Sequence, residues 1–151
     1  MERSSVRVGR NQRGELMAYA TKTRVPEGQS RTEIERLLMK YKANSVAVFN
    51  SVDQVAVAFE MAHRRVIFRL SVPREENEKA GQERRRKWRA LLLCIKAKLT
   101  SVEDGIETFE DAFMAHVVMP DGMTVAEHVK PRIETAYKEG KMQPLLPGPK
   151  K

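Results

Sequence analysis

Two neighbouring segments of the chain alternate apolar and other side chains with a period of two, and this alternation constrains the fold most strongly. "QVAVAFEMA" (54–62) places apolar residues at 55, 57, 59 and 61, and "RRVIFRLSV" (64–72) places them at 66, 68, 70 and 72. Successive side chains of a strand point to opposite faces of a sheet. The pattern therefore predicts two amphipathic strands, preceded by a third in "SVAVF" (45–49).

The connection between the two longer strands sets their pairing. A two-residue turn at His63 and Arg64 pairs residue 61 with 66, 59 with 68, 57 with 70 and 55 with 72, so that every pair is apolar on apolar. Neither turn residue is favoured in a primed turn, so a four-residue loop of the same parity stays possible. Both alternatives predict an antiparallel hairpin.

Helical periodicity flanks the strands on both sides. Ser30 and Glu33 form a potential capping box before apolar residues at 34, 37, 38 and 41, and Asn44 is a candidate left-handed terminator. A long helix is predicted from near Gln82 to about Asp104, with Trp88 in its apolar stripe. It can also begin earlier, within the acidic residues 75–78.

The last third predicts shorter helices. Phe109, Phe113 and Val117 share one helical face, a turn follows at 119–122, and Thr124 opens a helix that Gly140 ends. Pro131 should kink or restart this last helix. The predicted fold is α+β, with an N-terminal helix, a three-stranded antiparallel sheet, and two or three C-terminal helices.

The organisation and composition indicate one domain. We expect a flexible basic arm (1–20), a single α+β domain (21–143) and a Pro-rich tail (144–151). The single cysteine, Cys94, excludes an internal disulfide and fits a reducing compartment. No apolar run reaches the roughly 20 residues needed to span a bilayer, and no signal peptide is recognisable. We therefore expect a cytoplasmic protein without a membrane partner.

The net charge of +8 is unevenly distributed, with +11 in residues 1–100 and −3 in residues 101–151. Basic surfaces attract phosphate backbones. The candidate nucleic-acid-binding side chains on the long helix are Arg84, Arg85, Arg86, Lys87, Arg89 and Lys96. They are equally compatible with a solvated helical face built on ordinary i,i+4 pairs.

Arg65 and Arg69 form a second candidate group, because they share a predicted sheet face with the small residues Ala56, Ala58 and Ala62. Such a face can admit a nucleic-acid backbone or a closely packed helix, and Ile67 on the same face favours the helix.

Signatures of catalysis are absent from the sequence. The three histidines lack a metal-ligand spacing, and no nucleotide-binding or nucleophile motif occurs. Cys94 is expected to be an inert buried thiol at the edge of the core. The acidic residues between 103 and 111 could hold Mg²⁺, but such a site needs convergent carboxylates from separate elements. We therefore prefer to interpret them as a solvated helical face, or as an electrostatic partner for the basic surface of another copy. We expect no enzyme activity, cofactor or metal.

Several phrases of the chain carry a resemblance: "MAYATKTRVP", "SRTEIERLL", "KWRALLLCIKAKL", "ETFEDAFMAHVVMPDGMTV" and "QPLLPG". They resemble small, functionally uncharacterised proteins encoded by bacteriophages and prophages, over residues 17–148. The resemblance implies a bacterial cytoplasm and a role in phage DNA metabolism or in interference with a host protein. It implies no activity and no site residues.

The leading functional prediction is an accessory protein that binds DNA or RNA largely non-specifically through its basic helix and N-terminal arm. The alternative is a protein-interaction module or inhibitor that docks its basic face on a host or phage protein. A third possibility is a homo-oligomer. The order helix–β–β–β–helix is also that of double-stranded-RNA-binding domains, but the motifs of those domains are missing.

Overall fold

The computed structural model describes residues 26–52 and 54–149, in which helices cover one face of an antiparallel sheet. The elements are α1 (Glu27–Lys40), β1 (Ser45–Asn50), β2 (Gln54–Met61), β3 (Arg64–Ser71), α2 (Glu78–Glu103), α3 (Phe109–Phe113), a 3₁₀ helix (Met114–His116) and α4 (Val125–Glu139). The predicted α+β class and element order are confirmed. The predicted N-terminal arm lies outside the described residues. Within the described ranges, no helix is long and apolar enough to cross a membrane.

The sheet has the order β1-β2-β3, and its hairpin register differs from the predicted one by two residues. The turn consists of Ala62 and His63, with φ angles of 51° and 58°. This brings Met61 opposite Arg64 and Phe59 opposite Val66. A turn with both φ angles positive matches the twist of the strands, as expected for a two-residue hairpin connection. Because the shift is even, each side chain keeps its predicted face.

The inner face of the sheet and the helices form one apolar core. Val57, Phe59 and Val66 are almost completely buried against helical residues, among which Trp88 of α2 is 2% exposed. Phe113 of α3 meets the Phe59 ring edge-on, with centroids 5.7 Å apart. Placement of Trp88 in the core was correctly predicted.

The first helix begins earlier than its sequence pattern indicates. It starts at Glu27, directly after Pro26, so Ser30 lies inside the helix, fully buried, and does not cap it. The predicted capping box is wrong because proline, with its fixed φ and no N–H group, is suited to the position where a helix starts. Lys42, with a φ of 68°, takes the left-handed position that was assigned to Asn44.

The long helix α2 also begins early, as the second of the two predicted starts allowed. The Asn77 side chain caps it by accepting a hydrogen bond from the Ala80 amide at 2.8 Å. The arginines at 84–86 therefore lie in its second and third turns. There they do not oppose the positive end of the helix dipole, and Glu78 occupies the first turn where a negative charge is favourable.

The final helix α4 confirms its predicted caps. The Thr124 hydroxyl accepts from the Glu127 amide, and the Glu127 carboxylate accepts from the Thr124 amide, at 3.2 and 2.8 Å. Gly140 ends the helix with a φ of 66°. Pro131 was predicted to kink or restart the helix; the helix continues through it, so there is no restart.

His116, in the 3₁₀ helix, stacks on the core residue Phe68 with ring centroids 4.0 Å apart. Burial lowers the pKa of His116, the charge of Lys98 adds to this effect, and a hydrogen bond with the Ile67 backbone opposes it. The neutral imidazole is therefore the form that packs in the folded protein.

We predict that His116 makes the protein less stable in mild acid. Its folded pKa lies below the ordinary 6.5, so the unfolded chain binds the proton first as the pH falls through 6.5. The free energy of unfolding, measured with urea between pH 7.5 and 5, should decrease in that window. His116→Phe keeps the ring contact and should remove this part of the decrease. An identical pH dependence in both proteins would contradict the prediction.

Candidate functional site

Helices α1 and α2 lie side by side and run in the same direction. Glu27 contacts Arg84 at 3.1 Å, Glu33 contacts Arg89 at 3.1 Å, and further along both helices lies a third contact. In that contact the Tyr41 hydroxyl donates to Glu103 at 2.6 Å, which also raises the pKa of Tyr41. The seam between the two helices is thus held by charged and polar contacts at three levels.

Three of the predicted phosphate-binding residues are held by their own chain. Arg84 binds Glu27 and also donates to the carbonyl oxygens of Pro73 and Glu75, at 3.0 and 2.9 Å. Arg89 binds Glu33, and its side chain is only 16% exposed. Lys87 donates to the Ser71 carbonyl. These cations connect α2 to α1, to the last residue of β3 and to the segment that follows β3.

Arg85 and Arg86 are bound less tightly. Arg85 donates to the Gln82 side chain at 3.0 Å and lies 3.5 Å from the Glu78 carboxylate. Arg86 lies 3.9 Å from Glu83 on the same helix. Contacts at these distances between partly exposed groups contribute little free energy and can be exchanged for an external anion.

A groove runs along the seam, and Lys96, the remaining basic residue predicted on α2, lies beside it. Lys96 of α2 lines it together with Arg36 and Lys40 of α1, and its volume is about 270 Å³. Leu37 and Leu92 also line the groove, and the Glu33–Arg89 pair lies in its wall. Among the described residues, no acidic side chain forms an ion pair with any of these three cations, which we call the seam cluster. Sequence reasoning missed Arg36 and Lys40.

The predicted sheet arginines do not join this group. Arg65 and Arg69 lie on the outer face of the sheet, opposite the helices, with Ala56 and Ala58 as predicted; Ala62 lies in the turn. Arg69 binds Glu127 of α4 at 2.7 Å, whereas Arg65 is 65% exposed and 3.7 Å from Glu60. The eight predicted residues are therefore divided between two sides of the molecule.

The expected helical cover of the outer sheet face is incomplete. Ala47 and Phe49 of β1 are exposed there, while Ile67 is partly buried. On this face, Arg69 of β3 contacts α4 through its ion pair with Glu127.

The histidines and acidic residues make local contacts. His128 lies 2.7 Å from Asp121, whose pKa is lowered first by the Met123 amide and then by His128. In the acidic segment, Glu110 binds Arg64, and Asp111 accepts from the Thr108 hydroxyl. Among the described residues, no three His, Cys, Asp or Glu side chains come together as a metal-binding group would.

Cys94 differs from its prediction, because it is exposed. At 100° per residue from Trp88 it falls beyond the apolar stripe, on the outward side of α2. The expectation of a buried thiol was wrong for that reason.

No protein-family model, curated protein or solved structure matches the chain. The resemblance to phage-encoded proteins stays a prediction, and function has to be inferred from geometry and charge.

We predict that the Arg89–Glu33 contact stabilises the helix pair. Arg89→Met and Glu33→Gln should each lower the free energy of unfolding by about 1 kcal/mol, and the double variant should lose less than the sum. Urea denaturation of the four proteins measures the coupling. The exposed Arg65–Glu60 pair is the matched control and should show almost none. Additive effects at Arg89 and Glu33 would contradict the structural role.

Proposed function

We propose that the protein binds nucleic acid largely without sequence specificity, with the phosphate backbone held by the seam cluster. The observation that supports this most directly is the convergence of Arg36, Lys40 and Lys96 on one groove without acidic partners among the described residues. Cations in that arrangement are available for an external anion. Phosphates are the anions that nucleic acids present in a regular row.

The chemistry of the groove favours contacts to the backbone over contacts to bases. Arg36 and Lys40 are one helical turn apart, roughly 6 Å along α1, so their side chains reach the same channel. None of the described side chains that line the groove is aromatic, so this part of the chain offers no platform for the stacking of bases there. Phosphate contacts position a nucleic acid without reading its sequence. DNA and RNA duplexes are the matching ligand class.

The other basic residues of the prediction take different parts in this proposal. Arg85 and Arg86 extend the basic surface from the groove towards the start of α2. Arg84, Lys87 and Arg89 act as positioning residues, since their contacts hold the helices that form the groove. Arg65 and Arg69 are not part of the surface. The proposal involves no catalytic step, and a place in phage DNA metabolism rests on the sequence resemblance alone.

A protein-interaction module is the second candidate, and one observation favours it. The groove has an apolar floor of Leu37 and Leu92, and Leu93, which also lines it, is 37% exposed. An apolar channel edged by cations also suits an acidic amphipathic helix of a partner protein. A nucleic-acid backbone would leave those leucines without a partner.

A salt-dependent binding measurement tests the proposal. Fluorescence anisotropy of a labelled duplex should show log affinity falling linearly with log salt concentration. In Lys40→Glu/Lys96→Glu the affinity should fall at least about tenfold and the salt slope should lose about two units, one for each phosphate contact. Lys138→Glu/Lys141→Glu changes the net charge equally on exposed residues outside the groove. This control should keep most of the affinity.

Two results would count against the proposal. Absence of binding at low salt would exclude nucleic-acid binding, and an equal loss in the groove and control variants would exclude the seam cluster as the site. A wild-type protein that ignores duplexes but binds an acidic amphipathic peptide, with loss in the groove variant, would favour the protein-interaction module.

A further inference from the structure

Helix α4 packs only loosely on the rest of the described structure. None of its 15 residues is buried. Ile133 is 43% exposed and Tyr137 is 88% exposed, although both belong to its apolar side. A helix of this length, with a proline inside it, gains most of its stability from packing against other groups. Among the described residues of its second half no side chain is buried, and only Arg132, Thr135 and Ala136 are partly buried.

The first half of α4 is attached to the body of the protein. Val125 packs against the core, Glu127 binds Arg69, and His128 lies beside Asp121. Beyond these residues, Lys130, Ile133, Glu134 and Tyr137 fall within an arc of about 100° on the helix surface. The middle of this arc lies about 130° around the helix from Val125 and about 170° from His128, whereas Glu127 lies at its edge, about 20° from Glu134.

The arc carries polar and charged side chains that lack partners among the described residues. Within the described part of the chain, no hydrogen bond or ion pair involves the side chains of Lys130, Glu134 or Tyr137, and all three residues are exposed. One cation and one anion lie together along one side of the apolar pair of Ile133 and Tyr137. A ligand whose charges are all of one sign cannot pair with both Lys130 and Glu134. A second copy of the same surface can, because it offers one anion and one cation in return.

We propose that α4 is a homodimer interface, at which two copies of this chain pair their α4 helices antiparallel about a two-fold axis near Ile133. With a rise of 1.5 Å per residue, Ile133 then meets Ile133 of the second copy. Measured along the helix axis, Lys130 is offset by about 3 Å from Glu134 of the second copy and by about 1.5 Å from Tyr137 of the second copy. These offsets leave room for an ion pair with Glu134 and a cation–π contact with Tyr137. Two-fold symmetry produces each contact twice.

The C-terminal tail lies on another side of α4. Arg132, about 150° around the helix from the middle of the arc, donates to the carbonyl oxygens of Pro144 and Leu146, which folds the tail back beside α4 there and leaves the arc open. One helical face is smaller than the roughly 800 Å² per partner of a standard stable interface. The dimer should therefore be reversible, with a dissociation constant in the micromolar range or weaker.

Pairing through α4 does not depend on the proposed function. Its effect on nucleic-acid binding does rest on that function. The residues of the seam cluster lie on α1 and α2 and take no part in the pairing. A dimer would present two such clusters, and simultaneous contact with one duplex would raise the apparent affinity by avidity.

Sedimentation equilibrium of the full chain without nucleic acid tests the dimer, over concentrations from about 1 μM to 1 mM. The average mass should rise towards that of two chains. Tyr137→Ser should raise the dissociation constant at least about tenfold, and Glu139→Gln, at an exposed position on the opposite side of α4, should not change it. A monomer mass throughout, or a mass insensitive to Tyr137→Ser, would overturn the proposal.

A charge exchange tests the orientation of the two helices. Lys130→Glu and Glu134→Lys should each weaken dimerisation, and the double variant should restore it, because every pair across the axis is then rebuilt with reversed signs. Far-UV circular dichroism confirms that the helix content is unchanged. Failure of the double variant to recover would reject the antiparallel register. Both experiments omit nucleic acid, so a negative result leaves the proposed function intact.

Discussion

The parallel packing of α1 and α2 on the inner face of the sheet is the constraint on which the other features depend. Trp88 of α2 stabilises this packing because it is buried in the core, and the Arg31 guanidinium of α1 lies 5.5 Å from the centroid of its ring. The ion pair between Glu33 of α1 and Arg89 of α2 adds a second contact between the two helices. Because the helices lie in contact along their length, one flank of α2 faces α1. That flank determines which basic side chains are neutralised and which line a groove open to solvent.

The elements that depend on local pattern were predictable, and those that depend on backbone geometry were less so. Alternation in 54–62 and 64–72 identified the faces of both strands, since burial acts on every second side chain. The register needed the φ angles of Ala62 and His63, which no apolar pattern contains. The start of α1 was misplaced for a similar reason, because Ser30 has the chemistry of a cap but lies buried one turn inside the helix.

The candidate site shows the limit of reasoning from charge density along a sequence. Arg84 and Arg89 stand in a dense basic run, yet their acidic partners lie 57 and 56 residues earlier in the chain. Only the packing of two distant helices reveals that these charges are already used. Conversely, Arg36 and Lys40 resemble an ordinary solvated flank of α1. Their significance comes from Lys96, which joins them only after α2 has folded beside α1.

The central claim, that the cations at the seam contact phosphate while those at 84–89 hold the helices, can be mapped directly. Amide resonances of the ¹⁵N-labelled protein should be followed by NMR during titration with a short unlabelled duplex. The account predicts the largest shift changes at 36–40 and 93–97, smaller ones at 85–86, and almost none on the outer sheet face. Changes concentrated at Arg65 and Arg69, or no changes at low salt, would contradict it.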